Sequence, residues 1–453
     1  MSTRSNRRQF LQTSALTGIG FWIAAHSEAA ESQSPNGRIA MASIGIGGKG
    51  AGDADDASKA GDLVAICDVD EKVLNNIGEK KYPKAKRYTD FRKMFDEMGK
   101  SIDAVTVSTP DHAHTTIALT AMRMGKHCFC QKPLTHTLYE ARLMANVARK
   151  MKVATQMGNQ GTADTSLRKT VAVIQAGTLG APKEIHVWTN RPIWPQGSER
   201  PESVACPSTL NWDLWIGPAP MRDYAEGYHP FKWRGWWDFG TGALGDMACH
   251  TVNMPYWALD LRDPISVQAE TSGHNKDSYP ASSKIVYEFA ATDKRPAVKL
   301  YWYDGGNLPE ENVIGDMYDL YKKEIEKNKK FLGSGCVVIG DKDTLYIPGD
   351  YAERSTRLSG NKPLPDAQFV KSPGHFEEWV RAIKGGEPAK SNFPDYAGPL
   401  VETVLLGNLA VWVANTGKGE KVEWDAKNLK CTNIQGLEPI IKPTYRSGYT
   451  LDV

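Results

Sequence analysis

Near the middle of the chain, Gly245-Asp246-Met247-Ala248-Cys249-His250 sets a carboxylate and an imidazole four positions apart. On a helix that spacing places both side chains on one face. A carboxylate held close to an imidazole raises its basicity and fixes its orientation, as general-base work requires. Taken alone, the same pair also fits an aspartate that caps a helix start and a histidine packed in a core. A lysine, Lys132, stands in Gln131-Lys132-Pro133-Leu134, directly after an apolar run, and a glycine cluster, Gly45-Ile46-Gly47-Gly48-Lys49-Gly50, lies near the start. The GxGxxG spacing suits a dinucleotide: Gly45 permits a tight turn, Gly47 lets the backbone approach a pyrophosphate, and Gly50 lets a helix pack closely beneath it. The chemistry on offer is proton transfer beside a bound nucleotide.

Such groups need elements to hold them. Residues 38–44 read as a buried parallel strand leading straight into the glycines, and residues 62–67 as a second strand ending at Asp68. That is about the 20-residue spacing at which a dinucleotide fold sets an acid on the adenosine ribose hydroxyls, and a carboxylate there repels a 2′-phosphate, so NAD is favoured over NADP. A turn-forming aspartate at a strand end is the other reading of Asp68. A third strand at 104–108, a helix at 113–124 and a strand at 126–130 continue the β-α-β alternation of a doubly wound sheet. Ligands sit at the carboxyl ends of such strands, so Lys132 is expected at the mouth of the cofactor crevice.

The glycine turn, Ser108-Thr109-Pro110-Asp111-His112-Ala113-His114, the segment 125–134 (GKHCFCQKPL) and the segment 240–250 (GTGALGDMACH) together resemble the glucose-fructose oxidoreductase, inositol dehydrogenase and rhizopine catabolism (Gfo/Idh/MocA) family, over about residues 38–420. The resemblance implies a catalytic lysine at Lys132, from the family's EKP motif, with Asp246 and His250 in its DxxxH positions. The chain departs from the motif by carrying Gln131 where the family usually has Glu, which keeps the shape and loses a charge beside the lysine. The expected nucleotide contacts are Gly45, Gly47, Gly48, Gly50, Asp68, Ser108, Thr109, Pro110, His112, Gln131, Lys132 and Gln160. The implied architecture is α/β: an N-terminal Rossmann domain (38–157) with a doubly wound parallel sheet, then a C-terminal α+β domain (158–453) with an open, mostly antiparallel sheet. Helices near 373–415 should return to the first domain, and self-association is expected through the second sheet.

A further strand is expected at 152–156, and in the second domain strands at 183–190, 265–271, 283–289, 296–302, 335–339 and 344–347, with a helix at 163–177. Tryptophan is concentrated here: residues 188, 194, 212, 215, 233, 236, 237 and 257 are eight of the 13. Aromatic faces stack on sugar C–H faces while polar neighbours take the hydroxyls. Trp236 and Trp237, just before the DxxxH segment, are the expected platforms, and Asn190, Arg191, Tyr228, His229 and Arg234 the expected polar contacts. The activity implied is oxidation of a secondary hydroxyl of a sugar, glycoside or cyclitol, with NAD held tightly. The alternative is a glycoside hydrolase that oxidises C3, eliminates, adds water and reduces again, with Tyr228 or His229 as an extra acid or base.

Composition agrees with a folded, soluble chain. Among 453 residues, 55 Lys+Arg face 53 Asp+Glu, so no basic excess marks a nucleic-acid binder. The first residues carry an address: Arg7-Arg8, then Phe10-Leu11, an apolar run at 15–25 and small residues near 27–29 read as a twin-arginine signal (1–30), so the protein is expected in the periplasm or otherwise exported by that route, with the signal cleaved or, as the alternative, kept as an anchor. The run is too short to span a bilayer, which takes about 20 apolar residues. The seven cysteines have no CxxC spacing and read as buried thiols. His112, His114 and His250 lack partners at a recognised ligand spacing, so no metal is expected.

Overall fold

The computed structural model describes residues 37–329, 331–352 and 355–451. The twin-arginine pattern lies outside them. The first sheet is built from short runs of small and branched apolar residues: β1 (Ala40–Ile44), β2 (Asp62–Cys67), β3 (Lys86–Tyr88), β4 (Ala104–Val107), β5 (His127–Cys130) and β6 (Thr155–Met157). Every residue of β1 and β4 is buried, as in strands covered on both faces. The strands are parallel in the order β3-β2-β1-β4-β5-β6, so the direction of winding reverses between β1 and β4.

Register does the positioning. Ile44 lies opposite both Cys67 and Val107, Val107 opposite Cys130, and Cys130 opposite Met157. The residues that follow them, Gly45, Asp68, Ser108, Gln131 and Gly158, therefore share one carboxyl edge, where an open α/β sheet takes its ligand. β6 begins three residues later than the sequence suggests, because Lys152 adopts a left-handed cap (φ 54°) at the end of the Leu138–Met151 helix. The helix Glu71–Lys80, β3 and the helix Phe91–Met98 fill the stretch between β2 and β4; Asp70 and Asp90 cap the two helices through their carboxylates.

The second sheet has 11 strands in the order β14-β13-β12-β11-β7-β10-β9-β8-β16-β17, with β15 beside β8. Its centre is β7 (Pro182–Trp188), β8 (Ser266–Thr271), β9 (Ser283–Phe289), β10 (Val298–Tyr303), β11 (Gly335–Gly340) and β12 (Thr344–Pro348); β13 to β17 are short edge pieces at 357–358, 362–363, 417–418, 422–425 and 430–431. Only the β7/β10 pair is parallel. Burial alternates along β9, so one face of that strand packs inward.

Two helices return to the first domain, and the longer one also packs on the second sheet. Gly398–Val413 packs on β8 and β9, on the Leu138–Met151 helix and on the Gly242–Thr251 helix. It is apolar on all sides because it is enclosed; the most hydropathic window in this region is 78% buried. His375–Ile383 sends Phe376 and Trp379 against Phe129 and Met41 of the first sheet. The long connection 189–241 has little regular structure and is organised instead by a cluster of Trp215, Tyr224, Tyr228, Trp233, Trp236 and Phe239.

Candidate active site

A cleft of about 1050 Å³ runs along the carboxyl edge of the first sheet and under the 189–241 connection. Its first half is made of main chain. Gly45 (φ 76°) turns the chain away from β1 while its N–H donates to the Cys67 carbonyl at 2.8 Å; a Cβ here would strike the Ser108 carbonyl. A Cβ on Gly50 would overlap the Gly45 carbonyl oxygen, so the Lys49–Ala60 helix can start beneath the turn only with glycine there. Gly48 (φ 52°) precedes that helix, whose Gly50 and Ala51 N–H groups turn back to the Gly47 and Gly48 carbonyls at 2.9 and 3.3 Å, and Gly47, Gly48 and Lys49 line the cleft at its start. This cradle of close backbone fits a pyrophosphate. Ser108, Thr109, Pro110, Gln131 and Gln160 line the same half, and Thr109 Oγ1 is buried without a partner.

Asp68 takes the turn-forming role the sequence allowed, and it also lines the cleft. Its Oδ1 accepts from the Asp70 N–H of its own turn and its Oδ2 from Ile46 N–H inside the glycine turn, each at 3.0 Å. Burial lifts its carboxyl above the usual range, against those two donors. Two members of the expected set are absent from the cleft wall: Gly50, which packs beneath the glycine turn, and His112. His112 is buried between Trp215 and Phe239 with its ring nitrogens facing their carbonyl oxygens at 2.9 and 3.2 Å, so it ties the first helix of the segment to the 189–241 connection and is absent from the cleft wall.

Sequence reasoning missed Asp53. It is 1% exposed, three positions after Gly50 on the inner face of the helix, and its Oδ2 accepts from Ser108 Oγ at 2.7 Å and Gln131 Nε2 at 2.8 Å while Oδ1 pairs with Lys49. An aspartate among the Gly and Ala of that inner face was the available signal. It explains Gln131: a glutamate there would set a second carboxylate against Asp53, whereas the amide donates to it.

At the other end, every residue of the Gly242–Thr251 helix is buried, with Asp246 and His250 on one face. Here the structure corrects the expected pairing. Asp246 does not orient the imidazole; its Oδ1 accepts from Lys132 Nζ at 2.9 Å and Arg234 Nε at 3.1 Å, and Lys132 also donates to the Asp246 carbonyl at 2.9 Å. Two cations outcompete a neutral ring for one carboxylate. Burial alone would raise the Asp246 carboxyl, but Lys132 and Arg234 hold it at about 2. His250 Nδ1 is buried without a partner, and the ring lies edge-on to Tyr351 at 5.0 Å. Burial, reinforced by Lys132, pushes His250 down to about 3, so it is neutral at pH 7. Lys132 thus has a carboxylate neighbour despite Gln131.

Of the expected carbohydrate contacts, Arg191, His229 and Arg234 line the cleft. Asn190, Tyr228, Trp236 and Trp237 do not. Asn190 lies outside and accepts from Arg191 Nη1. Tyr228 and Trp236, each 1% exposed, are core of the connection, packed edge to face at 5.4 Å, and Trp236 Nε1 donates to the Gly227 carbonyl. Trp237 stacks on Tyr279 and lines a separate cavity of about 200 Å³ with Trp412. The cleft takes Trp194, Phe231 and Trp233 instead, whose rings lie 5.8, 4.8 and 4.2 Å from the Arg234 guanidinium. Among the described residues no group of three His, Cys, Asp or Glu side chains is placed to hold a metal.

Residues 38–159 match the model of an oxidoreductase family's NAD-binding Rossmann fold, GFO_IDH_MocA, and residues 163–312 match that family's C-terminal alpha/beta domain. A glycosyl hydrolase family 109 protein of Solibacter usitatus is 32% identical over 161 residues, 32% of this chain and 36% of that one. Myo-inositol 2-dehydrogenase of Thermotoga maritima is 28% identical over 133 residues, 29% of this chain and 39% of that one. These alignments span less than half the length of either relative. Among solved structures, the WlbA dehydrogenase from Bordetella pertussis in complex with NADH and UDP-GlcNAcA superposes with a TM-score of 0.59 at 14% identity, covering 86% of this chain and 99% of that one. Aldose-aldose oxidoreductase from Caulobacter crescentus gives 0.56 at 15% identity, covering 85% and 100%. At such identities the likeness is one of fold.

Proposed function

Because the chain belongs to the Gfo/Idh/MocA oxidoreductase family, we propose that it is an NAD-dependent oxidoreductase acting on a secondary hydroxyl of a sugar, glycoside or cyclitol. The observation that carries this reading is the meeting of Lys132, Asp246 and His250 in a cleft whose other half is a dinucleotide cradle. Gly45, Gly47, Gly48, Thr109 and Asp68 would hold the nucleotide, with the Asp68 carboxylate favouring NAD over NADP. Bound NAD supplies a hydride acceptor. His250, uncharged and lining the cleft, takes the hydroxyl proton. Lys132 holds the reacting oxygen, and its two bonds to Asp246 fix the ammonium in place before substrate arrives. Asp246 therefore positions the lysine. The twin-arginine pattern supports export of a folded holoprotein to the periplasm, where the nucleotide must be retained and regenerated in place.

The second reading, an NAD-dependent glycoside hydrolase, is favoured by the relative named as a family 109 glycosyl hydrolase. Incubating the purified holoprotein with a panel of aldoses, cyclitols and aryl glycosides separates the two. A keto product with reduced bound nicotinamide is the expected outcome. Released aglycone with the nucleotide unchanged would move the assignment to the hydrolase, and neither product would overturn both.

A further inference from the structure

The carbohydrate end of the cleft holds more cation than its nearest carboxylate can satisfy. Lys132, Arg191 and Arg234 converge on Asp246: Lys132 and Arg234 share Oδ1, and Arg191 Nε stands 3.9 Å from Oδ2, beyond hydrogen-bond distance. Arg191 Nε is buried with no partner. Arg234 uses Nε on Asp246 and Nη1 on the Phe231 carbonyl, which leaves Nη2 without an acceptor among the described residues. Both guanidinium groups are shielded: Arg234 lies among the rings of Trp194, Phe231 and Trp233, and the two arginine side chains are 24% and 22% exposed. The other carboxylates of this end do not compensate. Asp111 is committed to the Thr241 hydroxyl at 2.7 Å, and Asp350, which lines the cleft with Oδ1 buried and unpartnered, forms no ion pair within 4.0 Å among the described residues.

A shielded guanidinium with unused N–H groups is costly unless an acceptor arrives with the ligand. Its planar fork matches a two-oxygen anion far better than a single hydroxyl. The glycine cradle, which would take the nucleotide's phosphates, is built on Lys49 and Asp53, whereas these arginines sit on Asp246. We propose that the carbohydrate this cleft takes bears an oxyanion group, a carboxylate or a phosphate, seated on the Arg191 and Arg234 guanidinium groups beside Asp246. This rests on the oxidoreductase reading above and narrows its substrate to acidic sugars.

The test uses NAD-loaded protein and matched triples, each an aldose, its uronic acid and its 6-phosphate, in the gluco, galacto and manno series. Dissociation constants are read from tryptophan fluorescence. In at least one series the acidic member should bind about tenfold or more tighter than the neutral aldose, a difference of about 1.4 kcal/mol; whether uronate or phosphate gains identifies the anion. Arg191→Gln should erase most of that preference with NAD affinity maintained, and Arg191→Lys should restore only part, because the charge returns without the fork. Arg234→Gln should act alike, but Arg234 packs on three rings, so Arg191→Gln decides the matter if the Arg234 variant misfolds. Equal affinities within every triple, or no binding by any member, overturns the proposal. So does loss of NAD and sugar affinity together in Arg191→Gln, which would assign the arginines to the nucleotide. Failure of the wild-type protein to bind NAD would instead defeat the oxidoreductase reading itself.

Discussion

The two ends of the cleft are built by different means. At the nucleotide end the walls are main chain: strand ends in register, a glycine turn and the first turn of a helix, with Asp68 accepting from the turn it faces. At the carbohydrate end the walls are long side chains, Lys132, Arg191, Arg234 and His250, held by one carboxylate and a set of rings from a connection with little regular structure. A backbone-built site is fixed by the fold and tolerates side-chain changes outside its glycines. A side-chain-built site is fixed by charge, and removing one partner releases the rest.

The largest effects should therefore fall at the carbohydrate end and spare the nucleotide. Lys132→Ala and His250→Ala are each expected to lower turnover by about 10²–10⁴-fold, while NAD affinity stays near that of the parent. Lys132→Arg should not rescue, because a planar guanidinium does not fit between the Asp246 carboxylate and its carbonyl as a compact ammonium does. Circular dichroism alongside steady-state kinetics checks this. Near-normal turnover in His250→Ala would make the histidine a core residue and leave the carbohydrate end without its base.

Next in size is an effect of pH on stability, to which buried histidines and buried acids contribute with opposite signs. Burial holds His112, His114, His136 and His375 at about 4 and His250 at about 3, below the unfolded value of about 6.5. Between about pH 5 and 6 these five are neutral when folded and protonated when unfolded, so they make stability fall as pH falls. Burial also raises Asp111 and Glu140 to about 7 and Asp304 to about 6. Those three are protonated when folded and ionised when unfolded in the same window, so they oppose the trend. Burial also lowers His127, His186, His229 and His274 and raises Asp68 and Glu402, so the histidines outnumber the acids, protons are taken up on unfolding, and stability should rise with pH across this window. Urea midpoints at pH 5 and 6 measure it; a midpoint that falls with pH would show the acids dominating.

Within the nucleotide end, a second side-chain device beside Asp68 is Asp53 with Gln131. Gln131→Glu should weaken NAD binding by about tenfold or more by setting two carboxylates within hydrogen-bond distance. Asp53→Asn in the same chain should restore most of the loss, since the pair then again has one anion and one amide. Coupling of about 0.5–3 kcal/mol in the double-mutant cycle is the expected signature. Additive effects would mean that Gln131 and Asp53 act separately.

How much could be read from the residues follows the same division. Glycine spacing, strand runs and Asp68 are local signals tied to a fixed backbone geometry, and the parallel sheet and its edge were legible from them. Lys132 was legible because it directly follows a strand. Asp246 was placed on the correct helix but given the wrong partner, since its cations arrive from positions 132, 191 and 234, and no local pattern encodes that convergence. The tryptophans failed similarly. A ring buried in a connection and a ring facing a cleft look alike in sequence, and proximity to the DxxxH segment favoured Trp236 and Trp237 over Trp194 and Trp233.

The smallest expected effect tests that last point. Trp237 stacks on Tyr279 at 3.7 Å, meets Trp412 edge-on at 5.1 Å, and has an indole N–H without a partner. Phenylalanine keeps the stacked face and forfeits no hydrogen bond, so Trp237→Phe should leave kcat/KM within about twofold and cost about 1 kcal/mol or less of stability. Trp233→Phe is the matched control. That ring lies under the Arg234 guanidinium at 4.2 Å, and its N–H donates to the Pro230 carbonyl at 3.1 Å. Its loss weakens a cation–π contact worth about 0.5–2 kcal/mol and frees the arginine that steadies Asp246, so kcat/KM should fall about tenfold. If Trp237→Phe instead falls as far as Trp233→Phe, then the ring beside the DxxxH segment reaches the carbohydrate after all, and the wall between the cleft and the smaller cavity is not closed in solution.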